Sequence, residues 1–417
     1  MATIIGTTSV GVTARYTLAA AESIYVLAGA NVVASEDTAI QGFGSYNVAT
    51  VAGNVYGDVD GIAFGDNRSL DAGAVVRVLA GATVSGGDDG VQVLGHDAYV
   101  SNLGTITGRY GINMQGELNG VSRIFNAGVV SANIDGLYLA GPEAKVITNT
   151  GTIEGGRFSL HSLDISVDRL INRGSMIGDI DFGGGNDIYD GRGGTVEGTI
   201  FGAAGADTFI PGAAVEVIDG GSEQDVLDFR STAGIRMALD GSVVNSGTAA
   251  GDSYLNIEVV YGSLTGADTI SGDAAANLLS GSGGADNLSG GAGADTLIGG
   301  AGIDKLWGGV GNDQFSFQSL AQCGDTIMDY GNVAGNNDTF RITAAGFGAG
   351  LVAGPLPAAK FIVRADNLAQ DADDRFIFRT TDQTVWFDSN GSAAGGLTML
   401  ADLQAGVMLT AADFLLV

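Results

Sequence analysis

Cysteine is almost absent: Cys323 stands alone in 417 residues, so no disulfide framework can form within the chain. Histidine is nearly as scarce, and the two present, His96 and His161, lie 65 positions apart. That spacing excludes an H-E-x-x-H metalloprotease, and so few soft donors argue against a zinc or copper site. No serine stands in G-x-S-x-G, which removes the lipase class. No run of about 18 apolar residues exists to span a membrane, and no apolar helical segment suits a pore. Basic residues number 18 against 47 acidic ones, a formal charge of −29. Nucleic acid and anionic lipid both require basic patches, so neither is an expected partner, whereas cations are. The opening MATIIGTTSVGVTARYTLAAAE lacks a basic segment followed by a compact apolar core, so a Sec leader is not expected there.

Glycine is what the chain has in excess, 70 residues against four prolines. Without proline that load does not suit collagen, and with 45 % hydrophobic residues it does not suit disorder. Short strands joined by tight turns are the expected use.

Two internal periods organise the sequence. VSNLGTITG, IFNAGVVSA, ITNTGTIEG and LINRGSMIG place Asn102, Asn126, Asn149 and Asn172 at spacings of 24, 23 and 23 residues. Between these segments stand second apolar strands: GVQVLG, GINMQG and GLYLAG. Such a period predicts a parallel β-helix, whose coils bury their apolar faces on one another about 4.8 Å apart. The asparagines then stack at one corner and hydrogen-bond from coil to coil. Thr83, Thr105, Thr152, Ser175 and Thr195 form a parallel hydroxyl column, interrupted at Val129. The strand-like stretch ATIIGTTSVGV either caps this helix or pairs with a neighbouring subunit.

The second period is strict. From Ser263 to Ser316 six nonads run without a break. Their sixth positions are Asp268, Asn277, Asp286, Asp295, Asp304 and Asp313, and their eighth are Ile270, Leu279, Leu288, Leu297, Leu306 and Phe315. A degenerate block upstream places Asp207, Glu216 and Asp225 in the same phase. Each nonad reads as a six-residue turn and a three-residue strand whose middle residue faces inward. Two nonads make one coil, so Asp268 stacks with Asp286 and Asp304, and Asp295 with Asp313. Carboxylates about 4.8 Å apart repel by roughly 3–4 kcal/mol at an effective dielectric of 20, so the coil is expected not to close without cations. Oxygen donors alone suit calcium, whereas magnesium demands stricter geometry. The predicted ligands are Asp207, Asp225, Asp268, Asn277, Asp286, Asp295, Asp304 and Asp313. The turns at Gly281, Gly283, Gly290, Gly299, Gly300, Gly302, Gly308, Gly309 and Gly311 supply carbonyls beside them.

The motif GGxGxDxUx resembles the RTX calcium-binding β-roll of secreted bacterial proteins. Asn277 departs from the aspartate, and Ser263 and Gly272 open irregular copies. AGIRMALDGSVVNSGTAAGDSYLNIEVVYGS is similar to the spacer that often precedes such rolls. The chain's last residues, with Asp413 before Phe414–Val417, are similar to the C-terminal signal of type I secretion. The resemblance therefore implies several calcium ions, the type I machinery as a partner, and a place outside a Gram-negative cell. The whole is expected to be all-β. It starts as a parallel β-helix or β-solenoid over 1–181 and continues as a β-roll over 182–316, with a spacer at 229–262. A small β-rich cap with the signal follows over 317–417, containing a hairpin of Phe376–Arg379 and Thr384–Asp388.

For function, the expected class is a non-catalytic structural protein that self-assembles at the cell surface as a layer, filament or adhesin subunit. A homo-oligomer or polymer and a cell-surface glycan are the expected partners. The alternative is a polysaccharide lyase, epimerase or hydrolase on the β-helix. Its candidate groups are Asp88 and Asp89 with His96, or Arg157, His161 and Asp164. Neither set is spaced to recur on adjacent coils, so no groove is expected.

Overall fold

The computed structural model describes residues 2–6, 9–11, 16–66, 70–117 and 120–417. These divide into two compact units, one of residues 1–225 with 252–256, the other of 226–251 with 257–417. Among the described residues no helix is long and apolar enough to cross a membrane.

The first unit is a right-registered stack of parallel strands with three inward columns per coil. One column runs Ile24, Ala49, Val76, Val100, Ile124, Ile147, Leu170, Tyr189 and Phe209. A second runs from Val32 and Val55 through Val84, Ile106, Val130 and Ile153 to Met176. The third contains Ile62, Val91, Ile112, Leu137, Leu160, Ile180, Ile200 and Ile218. Nearly all are fully buried. Sequence reasoning found at least two strands per coil; the third face arises because Thr105–Gln115, Val129–Ala140 and Thr152–Ser162 turn a corner as single long strands.

The asparagine corner forms as expected. Asn102 donates to Asn126 at 2.8 Å, Asn126 to Asn149 at 2.9 Å and Asn149 to Asn172 at 3.0 Å, all four fully buried. The hydroxyl column is also in register, with Val129 seated between Thr105 and Thr152. At the N-terminus Ala2–Ile5 pairs with Ser23–Val26 and Ser9–Gly11 with Asn31–Ala34, so this stretch caps the first coil. Thr7, Thr8 and Val12 of it lie outside the described residues.

The second unit is thinner, with two inward columns. Leu227, Val260, Leu279, Leu297, Phe315, Phe340 and Phe414 form one, and Met237, Ile270, Leu288, Leu306, Ile327 and Leu403 the other. Every eighth nonad position falls in one of them. Phe376–Arg379 and Thr384–Asp388 form the expected antiparallel hairpin, and Leu397–Leu403 extends it. Phe414–Leu416 pairs in parallel with Thr339–Ile342 and in antiparallel with Gly354–Pro355. A two-column core has little redundancy. Leu297→Ala should therefore cost about 2–5 kcal/mol, read as a lower thermal midpoint of the calcium-loaded chain.

Candidate metal centre

Each nonad aspartate stands one residue before a short strand. Asp286 precedes Asn287–Ala292, Asp295 precedes Thr296–Ile298, and Asp304 precedes Lys305–Val310. Parallel pairing with a shift of 18 residues per coil stacks them as the repeat requires. The result is a ladder stitched by amides. The backbone N–H of Asp268 donates to Asp286 Oδ1 at 2.7 Å, Asp286 to Asp304 at 2.8 Å, and Asp295 to Asp313 at 2.9 Å. Asn277 N–H donates likewise to Asp295 Oδ1 at 2.8 Å.

One carboxylate oxygen is thus satisfied and the other is not. Oδ2 of Asp286, Asp295, Asp304 and Asp313 is buried with no hydrogen-bond partner, on residues at most 1 % exposed. Asp207 Oδ2 is in the same state. Leaving a buried charged acceptor unsatisfied costs more than about 1–3 kcal/mol each. The first glycine of each nonad lies against this oxygen: a Cβ at Gly281, Gly290, Gly299 or Gly308 would meet Oδ2 of Asp286, Asp295, Asp304 or Asp313. Across the turn, a Cβ at Gly283, Gly300, Gly302, Gly309 or Gly311 would meet a carbonyl oxygen of the preceding coil. Orphaned carboxylate oxygens and close-stacked carbonyls are a hard, oxygen-only donor set, which fits calcium. Among the described residues no three acidic, histidine or cysteine side chains group as a metal site.

Burial raises these carboxyls more than neighbouring charge does. Asp286 is pushed up to about 7, first by burial and then by Asp304 and Asp268, against the lowering effect of the Asp268 amide. Asp295 rises to about 6 and Asp207 to about 6, again mainly through burial. The expected repulsion is real, but it is the smaller penalty. Two irregular copies differ. Asp268 accepts from Ser263 N–H at 2.7 Å and from its hydroxyl, and Asn277 accepts from Asp273 N–H at 2.9 Å. The side-chain oxygens of these two residues find partners within the chain, and Oδ2 of the four regular copies does not. Asp225 accepts the Asp207 amide at 2.8 Å and joins the ladder of the first unit.

The ladders also include residues that the repeat did not reveal. Asp304 N–H donates to Asp325 at 3.0 Å and Asp313 N–H to Asp338 at 3.0 Å. Their spacings, 21 and 25 residues, break the period, although Asp-Thr-Ile and Asp-Thr-Phe repeat its D-x-U core. Asp338 Oδ2 accepts from Gly331 at 2.6 Å, and Asp329 takes the amides of Gly308 and Gly309, so that end is closed by N–H groups. In the first unit Asp168 and Asp187 precede Asp207, linked by amides at 2.6 and 2.7 Å. Lys145, the only buried lysine or arginine among the described residues, stands one rung further. Its side-chain nitrogen donates to Asp164 and to the Gly141 carbonyl within the coil.

The enzyme candidates separate. Asp88 pairs with exposed Arg109, and His96 binds its neighbour Asp97 at 2.9 Å. Arg157 and His161 do meet, at 3.1 Å, but on Asp135 rather than Asp164. Asp135 lies beside Phe158 and Tyr138 beside His161 on adjacent coils. Asp135, one 23-residue step before Phe158, thus stands where the expected set placed Asp164. Phe158 stacks on the imidazole at 4.5 Å and Arg157 covers Phe158, so the cluster is largely satisfied by itself.

Asp89 is buried, and its Oδ2 accepts from Gln92 at 2.6 Å and Asn113 at 2.9 Å. Burial pushes its carboxyl up to about 6, so the folded chain holds this proton more tightly than the unfolded one. Stability from this group is therefore highest below about pH 4 and is lost as pH rises through about 6. Asp89→Asn should be more stable than the parent at pH 7.5 by up to about 3 kcal/mol. The difference should vanish near pH 4 in thermal melts across that range.

A family model of the RTX calcium-binding nonapeptide repeat (4 copies) matches residues 198–227, 264–297 and 289–317. No curated protein matches the chain.

Proposed function

We propose that this RTX calcium-binding protein is a secreted structural subunit that folds outside the cell and assembles at its surface. The row of buried, unpartnered Asp oxygens carries the reading. Calcium, when bound, supplies the positive charge that these carboxylates lack. Asp286, Asp295, Asp304 and Asp313 present their Oδ2 atoms, with Asp207 and Asp225 in the first unit. The glycine turns bring backbone carbonyls of successive coils close enough to share the task. In a low-calcium cytosol the same carboxylates stay hydrated and the segment stays open, as passage through a type I exporter requires. Outside, at roughly millimolar calcium, sites of the extracellular class fill and the coils close. Asp413 and Phe414–Val417 serve as the export signal in the open chain, and Phe414–Leu416 forms a strand in the closed one.

Assembly is supported by an inverted segment in the first unit. Leu163, Ile165 and Val167 are 55, 82 and 53 % exposed, while the alternate Asp164, Ser166 and Asp168 are buried around Lys145. An apolar ridge held outward by a charged interior suits contact with another subunit. Electron microscopy of the chain with calcium should show ordered sheets or fibres, and Ile165→Glu should leave folded, dispersed particles. Parent protein that stays monomeric in calcium at high concentration would refute the assembly reading.

A further inference from the structure

The second unit carries an outward groove of about 390 Å³ across the ends of successive strands. Tyr261, Ser280 and Ile298 stand side by side on adjacent coils along its floor, with Arg341 at one side. Arg230 forms a two-pronged pair with Asp228, at 2.7 and 3.0 Å, and lies 4.8 Å over the Tyr261 ring. Its charge is already answered. Arg341 is different: half-buried, it makes no ion pair or side-chain hydrogen bond among the described residues. The Gln318 side chain beside it is likewise uncommitted among the described residues. Gln322 uses its Oε1 to accept the Gln318 amide at 2.7 Å, which leaves its NH₂ for an outside acceptor.

The geometry points to a binding site for an acidic saccharide in this groove. Arg341 matches a carboxylate, and the Gln318 and Gln322 amides and the Ser282 hydroxyl match sugar oxygens. Tyr261 and Leu278, both half-buried, offer the apolar surface on which the C–H face of a sugar ring rests. A bare anion would use the arginine and leave the apolar floor idle; a neutral sugar would leave the arginine unanswered. The volume falls in the range of small-ligand sites. The site needs the folded roll, and it does not depend on self-assembly.

The test is calorimetric titration of the full, calcium-loaded chain with trigalacturonate, neutral galactotriose and sodium sulfate. Trigalacturonate should bind, more weakly as salt rises, and the other two at least about tenfold less well. Arg341→Gln should weaken trigalacturonate about tenfold or more, and Gln318→Ala, at an exposed position, by less. Circular dichroism in calcium should be unchanged in both variants, which separates loss of the groove from loss of the roll. Absence of binding, equal binding by the parent and folded Arg341→Gln, or sulfate binding as tightly as trigalacturonate would each overturn the assignment.

Discussion

Chelation with excess EGTA should abolish the β-structure of residues 263–316 and open them to protease, and roughly millimolar calcium should restore both. Four carboxylate oxygens in that segment are buried without partners, each on a side chain at most 1 % exposed. Against them stands a core only two columns wide. At about 1.5–3 kcal/mol per buried Leu or Ile, offset by the entropy of ordering glycine-rich turns, that core cannot carry several orphaned charges. The coils from Val75 to Asn149 should resist, because their corner is held by neutral asparagines and three apolar columns. The expected circular-dichroism change is thus partial, and limited proteolysis should cut first between 263 and 316. An unchanged spectrum in EGTA would remove the calcium dependence altogether.

Gly302→Ala should prevent closure of the roll even in saturating calcium. Gly302 has φ of +142°, and a Cβ there would run into the carbonyl oxygen of Gly284 on the preceding coil. Backbone cannot yield as a side-chain tip can, so two coils and the carbonyls offered to the ion must move together. A cost above about 4 kcal/mol is expected, seen as loss of the calcium-induced spectral change. Gly335→Ala is the control. Its φ of +87° is equally left-handed, but a Cβ there meets nothing within 4 Å. That variant should lose only about 1–2 kcal/mol from backbone strain and still fold on calcium. Equal behaviour of the two would mean that φ, and not coil-to-coil approach, governs these glycines.

The repeats made much of this legible in advance. Asp268, Asp286 and Asp304 stack as the 18-residue coil requires, and the asparagine corner forms at the residues that the 23-residue period singled out. In both cases each coil touches only its neighbours, so phase along the chain is register in space. Where the phase breaks, the reading fails. Asp325 and Asp338 were missed because loops of extra length precede them, and Asp135 because it meets His161 26 residues on and not at the 23-residue step.

By itself the sequence determined the solenoid, the inward leucine columns and a hard-cation chemistry, since a strict period leaves little else to choose. Tertiary structure decided which carboxylate oxygens remain without partners, that an amide of the preceding coil holds the other oxygen, and that burial outweighs repulsion. It also decided that Lys145 is buried against Asp164 and the Gly141 carbonyl, while Arg341 makes no ion pair among the described residues. Those outcomes depend on desolvation and on partners from non-repeating loops, and neither exists until the chain is folded.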